Sequence, residues 1–286
     1  MTAHLRPIWL SIDRHVGRGS YSWLRPWLGP ERVCAQRAYA EKLAGLLRAS
    51  TRWLDAGCGH RIFNFASASE ERQMLDRIQS AVGCDLDASA LRKHRSLTNR
   101  VCCDLRQMPF ADGSFDLVTL NYVVEHIEDV HETFAEISRV LVPGGRLVIL
   151  TPNVKSYYVR LIRLGTRLLP KFVVQGLARY LEYREPEDIF PTFDRANTQH
   201  ALTEHLKAVG MIEEQFLLLS GQPLFYFAAP LSALEMALCR LMLWLGWFEF
   251  EAESILAVYR RTRKGLQEGS SAVNEKANSL AQPVRC

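Results

Sequence analysis

Arg52-Trp53-Leu54-Asp55-Ala56-Gly57-Cys58-Gly59 is a short apolar run that ends on a carboxylate and then breaks into two glycines one residue apart. The pattern predicts a strand running into a tight turn. A turn without Cβ atoms lets backbone N–H groups approach a ligand, and after a parallel strand it lies at the carboxyl edge where α/β sheets bind ligands. Two further runs repeat the ending: Ala81-Val82-Gly83-Cys84-Asp85 and Val101-Cys102-Cys103-Asp104. A dinucleotide fingerprint would need a third glycine three positions after Gly59, where this chain has Ile62. The pattern better suits a single nucleoside with a short charged substituent, with Asp85 accepting from a ribose diol and Asp104 from an exocyclic amine.

The array resembles the class I S-adenosylmethionine-dependent methyltransferases, in the bacterial type-11-like group related to the ubiquinone-biosynthesis O-methyltransferases. Besides the strand ends, the resemblance rests on Met108-Pro109-Phe110-Ala111-Asp112-Gly113-Ser114-Phe115-Asp116, Glu125-His126 and Arg139 to Gly145, within roughly residues 51–153. It implies a Rossmann-like α/β fold: a seven-stranded, mostly parallel sheet with helices on both faces and inserted lid helices. It implies S-adenosylmethionine as cofactor, bound through Asp55, Gly57, Cys58, Gly59, Asp85, Leu86, Asp104, Leu105 and the backbone of Asn121. The family turn usually carries another glycine where this chain has Arg61, so the loop must run differently here.

His126 follows the fourth strand and is the candidate base; the other reading is that it caps or packs the next helix. Relatives that bind a divalent metal here use Glu-x-x-Glu-His, but the first acid is replaced by Tyr122, so no metal is expected. Asn121-Tyr122-Val123-Val124 also lacks the Pro-Pro-aromatic signature of base methylation. The expected reaction is methyl transfer to an oxygen of a small-molecule, glycan or lipid-linked acceptor, with no nucleic acid partner. A binding or scaffold protein that kept the fold without turnover is the alternative. Oligomeric state is not legible.

A chain of 286 residues, 48% hydrophobic with a net charge of +4, can bury a full core and carries no massed basic surface. Seven cysteines without a Cys-x-x-Cys spacing read as buried thiols of a reducing compartment, and no leader segment is apparent, so the expected location is cytoplasmic. The domain reading is an N-terminal cap and helix over residues 1–50, a methyltransferase domain over 51–263 with insertions at 155–200 and 221–253, and a disordered tail over 264–286.

Along the chain, the spacing predicts helices after Pro30, from Ser67 to about Ser80, from Asp87 through Leu91, and over Val130 to Leu141. Pro143-Gly144-Gly145 is expected to stop that last helix and Arg146 to Leu150 to form strand five. Strand three is expected to end at Asp104. One or two helices broken near Pro170 span Tyr157 to Arg184, Leu202 to Val209 is a helix, and Ile212 to Leu219 and Ser254 to Arg260 are the last two strands. Arg195 and His200 are acceptor-contact candidates. Lys155 to Arg184 holds seven bases against Glu182, interleaved with Leu161, Leu164 and Leu168. With the apolar 221–253 insertion it is expected to form one face for peripheral contact with an anionic membrane at its inner surface, a large lid or a subunit contact being the alternatives.

Overall fold

The computed structural model describes residues 34–168, 191–221, 223–225 and 229–262. The N-terminal cap, the expected helical stretch beyond Leu168 and the polar tail lie outside the described residues. The elements in chain order are α1 (Ala35–Leu46), β1 (Arg52–Ala56), α2 (Ala68–Leu75), β2 (Ser80–Asp85), α3 (Ala88–Lys93), β3 (Arg100–Cys102), β4 (Phe115–Asn121), a 3-10 turn (Val124–His126), α4 (Val130–Val140), β5 (Leu141–Pro152), α5 (Tyr157–Leu168), α6 (Gln199–Ala208), β6 (Met211–Leu219), α7 (Ala229–Trp244), α8 (Phe248–Glu251) and β7 (Ser254–Arg261).

The seven strands form one sheet in the order β3-β2-β1-β4-β5-β7-β6. β1 pairs in parallel with β2 on one side and β4 on the other, with Ala56 level with Cys84 and with Leu120. The chain moves outward from β1 in one direction through β2 and β3, then in the other through β4 and β5. Right-handed crossovers therefore put α2 and α3 on one face and α4 on the opposite face. The reversal makes the carboxyl ends of β1 and β4 the switch point where doubly wound sheets bind ligands. At the far end of the sheet, Glu253 N–H donates to Leu219 O and Thr262 N–H to Gly210 O, so β6 and β7 run antiparallel.

Central strands are buried on both faces and read as continuous apolar runs: Leu147, Val148, Ile149 and Leu150 of β5 are all fully buried. α4 presents one stripe, Val130, Phe134, Ile137 and Val140, to that core. α2 opens with a capping box, in which Glu70 N–H donates to Ser67 Oγ and Ser67 N–H to Glu70 Oε2.

Several boundaries differ from the sequence reading. α2 stops at Leu75, since β2 takes up Ser80 opposite Arg52, and α3 runs two residues beyond Leu91. β3 ends at Cys102 because only Gly83, Cys84 and Asp85 are left to pair with it. Pro143-Gly144-Gly145 does not separate helix from strand: β5 starts at Leu141, paired with Phe115, and the pairing resumes at Arg146 with Leu117, so these residues form a bulge. Gly144 takes φ 87° there, and a Cβ on Gly145 would sit 2.9 Å from Val142 O. Of the described cysteines, Cys58, Cys84 and Cys239 are buried, but Cys34 and Cys102 are exposed, the latter because β3 is the edge strand.

The chain divides into two compact units. One comprises residues 47–151, 192–216 and 257–286, and holds most of the sheet. The other comprises residues 1–46, 152–191 and 217–256, and its described part is mainly helical. In this second unit Asn153 Nδ2 donates to Glu249 O and Ala252 O, Lys155 pairs with Glu249 at 2.6 Å, and Tyr157 hydroxyl donates to the buried Glu235 carboxylate at 2.6 Å.

Candidate active site

β1 delivers its chain to the switch point, where Gly57 and Gly59 take φ 72° and 53°, a region side chains rarely adopt. Gly57 and Cys58 N–H both donate to Cys84 O, at 2.7 and 3.1 Å, closing the turn over the end of β2. A Cβ on Gly57 would lie 2.4 Å from Val123 Cγ2, whereas one on Gly59 would meet nothing within 4 Å. The first glycine is thus required by packing as well as by φ, and the second leaves open space above the turn. Beneath it, the buried Cys58 Sγ would sit 2.7 Å from a Cβ on Gly83, and burial raises its thiol pKa.

Asp85 receives Gly59 N–H on Oδ2 at 2.8 Å and Asp87 N–H on Oδ1 at 2.9 Å, while Asp87 caps α3 through Ser89 N–H. Each Asp85 oxygen keeps a further lone pair for a ribose hydroxyl. Asp55 points into the sheet: Trp53 Nε1 donates to Thr119 Oγ1, which donates to Asp55 Oδ1 at 2.8 Å. Burial pushes the Asp55 carboxyl up to about 7 against the pull of the Thr119 bond, with the charges of Glu71 and Asp85 adding to the rise.

Cys103 N–H donates to Asp85 O, bringing the third strand end beside the second. Asp104, however, is clamped by Arg106, whose Nη2 lies 2.7 Å from Oδ2, and these bonds hold the Asp104 carboxyl below its usual range. Any exocyclic amine donating to Asp104 competes with that guanidinium, which the sequence reading overlooked. Leu105 is half-buried, and Leu86, 74% exposed, leaves an apolar surface beside Asp85.

At the end of β4, Asn121 Nδ2 donates to Ile62 O at 3.3 Å, and Tyr122 adopts φ 57°. A bulky residue in that region is strained by about 1–3 kcal/mol, and such strain collects at functional sites. His126 is half-buried in the 3-10 turn, next to the buried Glu125. Thr151 Oγ1 donates to Glu125 Oε2 at 3.0 Å and receives Asn197 Nδ2 at 2.5 Å, a buried chain that sequence reasoning missed because its members are far apart in the chain. Glu125 O also receives Phe193 and Asp194 N–H, tying the 191–198 segment to this turn. Arg195 is drawn to Glu128 O, and His200, largely exposed, pairs with Glu204 on α6, so neither joins these groups.

The loop after Gly59 takes its course from a second buried acid. Glu71, fully buried, receives Phe63 N–H, the Ser96 hydroxyl and the Arg95 guanidinium, whose Nη2 lies 2.6 Å from Oε1. Arg95 Nη2 also donates to Phe63 O and Ala66 O. Ile62 and Phe63 are thereby folded inward, and Arg61 stands where the family glycine would be. Arg139 similarly fixes the Met108–Asp112 loop through Glu136, Asp112 and two carbonyls.

Residues 54–149 match a family model described as a methyltransferase domain. Residues 54–149 thus carry a methyltransferase domain. Over 84 residues it is 37% identical to a ubiquinone/menaquinone biosynthesis C-methyltransferase of Desulfotalea psychrophila, covering 27% of this chain and 34% of that protein. A malonyl-[acyl-carrier protein] O-methyltransferase of Legionella pneumophila is 34% identical over 39% of each chain. The chain thus spans little more than a third of the length of these relatives. An S-adenosylmethionine-dependent methyltransferase from Mesorhizobium loti shares the fold with a TM-score of 0.51 at 17% identity, over 80% of this chain and 98% of that one. The open turn, the free lone pairs of Asp85 and the exposed Leu86 fit the nucleoside of such a cofactor.

Proposed function

We propose that this protein transfers a methyl group from S-adenosylmethionine to an oxygen of a small-molecule, glycan or lipid-linked acceptor. The observation that carries the reading is the left-handed Gly57–Gly59 turn at the switch point, with Asp85 held by two backbone N–H groups beside it. When bound, the sulfonium cofactor supplies an electrophilic methyl group for in-line displacement. Asp85 accepts the ribose hydroxyls and the turn holds the amino-acid portion, leaving acceptor alignment and proton removal as the work of the chain. His126 takes the acceptor's hydroxyl proton, in a turn anchored by buried Glu125. By their names the two relatives are a ubiquinone/menaquinone biosynthesis C-methyltransferase and a malonyl-[acyl-carrier protein] O-methyltransferase; the His126 imidazole in the turn after β4 favours an oxygen acceptor.

Calorimetric titration with S-adenosylmethionine, followed by transfer of labelled methyl to a panel of hydroxylated acceptors, tests this. His126→Ala should lower turnover by about 100-fold with cofactor affinity nearly unchanged. Cofactor binding without transfer to any acceptor would favour a silent binding protein, and no binding would remove the reading altogether.

A further inference from the structure

The helical unit exposes apolar surface that a solvated protein does not leave uncovered. α7 buries Ser232, Glu235, Met236 and Cys239 on one side. Its opposite side is also apolar: Leu231, Leu234, Leu238 and Leu241 are exposed, the last three spaced at i, i+4 and i+7 along one stripe, and Leu245 just beyond the helix is exposed too. Trp244 ends the helix 81% exposed, and Trp247 and Phe248 continue the patch into α8. α5 contributes Leu161, Leu164 and Leu168, the last 73% exposed, again at i, i+3 and i+7. A cleft of about 270 Å³ opens between these helices, lined by Tyr157 and Leu161 of α5, Leu234, Leu238 and Met242 of α7, and Phe250 of α8.

Beside this patch, the described charges of α5 and α7 that reach solvent are basic. α5 carries Arg160 and Arg163 and no acid. α7 has a single acid, Glu235, and it is turned inward, where it receives Tyr157 hydroxyl and the N–H groups of Leu224 and Phe225. That leaves exposed Arg240 as the outward charge of α7. On α8, Glu249 is paired with Lys155 and Glu251 is buried. No described helix is long and apolar enough to cross a membrane.

We propose that the α5–α7–α8 face docks this protein on an anionic lipid bilayer, lying in the interface with its leucines and tryptophans among the acyl chains and its arginines at the headgroups. Apolar burial supplies affinity, Arg160 and Arg163 supply the preference for anionic lipid, and Trp244 sits at the depth where an amphipathic ring is favoured. The inward turn of Glu235 removes the acid of α7 that would oppose it, and Lys155 offsets Glu249 of α8. This proposal stands on the helical unit alone and is independent of the methyl-transfer reading.

The full chain is sedimented with vesicles of phosphatidylcholine, with or without equimolar phosphatidylglycerol. The protein should pellet with the anionic vesicles at low salt, stay in solution with phosphatidylcholine alone, and be released as salt rises. Arg160→Gln with Arg163→Gln should lower the partition coefficient by about thirtyfold, since each base near the surface is worth about a fivefold change. Leu234→Ser, Leu238→Ser and Leu241→Ser together should abolish pelleting while the melting temperature, measured in parallel, holds, because these side chains are exposed. Tryptophan emission should shift to the blue on adding anionic vesicles, and Trp244→Phe should remove most of that shift. A chain that stays in the supernatant at low salt overturns the proposal. So does a concentration-dependent dimer, dissociated by the leucine variants, that never pellets; the face would then belong to a second copy of this chain. Pelleting unaffected by the leucine variants would overturn the assignment to this face.

Discussion

The two edges of the central strands carry acids with opposite duties. At the carboxyl edge, Asp85 is held by two backbone N–H groups and meets no cation among its hydrogen-bond partners, so its charge is available to a ligand. At the amino edge, Asp116 opens β4 and is consumed by Arg52, which grips it with its guanidinium at 3.0 and 3.1 Å and with its backbone N–H at 2.9 Å. The lesson is that an acid at a strand end is informative by its partner. Backbone donors orient a carboxylate without neutralising it, whereas a forked guanidinium uses up both its charge and its geometry.

The largest test of this comparison lies under the carboxyl edge. Glu71→Ala should cost roughly 3–5 kcal/mol of unfolding free energy, because it strands the Arg95 guanidinium and the Phe63 N–H that Glu71 satisfies, and chemical denaturation measures it. A loss below about 1 kcal/mol would mean that the loop after Gly59 holds its course without this acid.

Next in size is Asp85→Ala. Losing charge-assisted hydrogen bonds to the ribose costs about 1.5–3 kcal/mol, so the S-adenosylmethionine dissociation constant should rise by about tenfold or more. An unchanged constant would mean that Asp85 only closes the turn through Gly59 and Asp87.

Asp55 gives a pH-dependent test. Its folded-state pKa is raised to about 7 by burial, from an ordinary 3.8, so the folded state holds the proton more tightly. The stability it contributes is therefore complete below about pH 4 and is lost as pH rises through about 7, with a slope of up to about 1.4 kcal/mol per pH unit in that window. Asp55→Asn keeps an oxygen for Thr119 and removes the titration. The variant's melting temperature should gain on the parent's steadily between about pH 4 and 7, and a constant difference would show that Asp55 is not the titrating group.

How much of this was legible follows from how local each signal is. Gly57, Gly59 and Asp85 could be read from a few residues, because a turn's φ and a strand's last side chain are decided locally. The Glu71–Arg95–Ser96 cluster could not: Ala68–Leu75 reads as a polar helix, and only the fold brings a partner 24 residues away onto Glu71. Glu125 was noticed as part of a motif, but its burial with Thr151 and Asn197 depends on β5 and on the segment before α6. Pro143-Gly144-Gly145 misled because the same residues that stop a helix also make a bulge, and only the pairing of Phe115 with Leu141 decides between them. The inward course of Glu235 was not legible either, since Tyr157 and the Leu224–Phe225 backbone hold it and only the fold brings Tyr157 to it.

The smallest effect is expected at the amino edge, and it is the one that isolates the comparison. Asp116 and Arg52 are each about one-third exposed, at 36% and 35% of their side-chain surface, so solvent screens their attraction and a pair of this kind contributes about 1 kcal/mol or less. The Arg52 guanidinium also lowers the Asp116 pKa, so whatever the pair contributes is present at neutral pH and fades as the acid is protonated below its ordinary range. Asp116→Ala should therefore lower the melting temperature slightly at pH 7 and hardly at all in strong acid, while the S-adenosylmethionine dissociation constant stays put. Measured beside Asp85→Ala, this separates two acids of the same sheet by which quantity moves. Should Asp116→Ala weaken the cofactor as much as Asp85→Ala does, the position of an acid along its strand would not distinguish ligand contact from framework in this sheet.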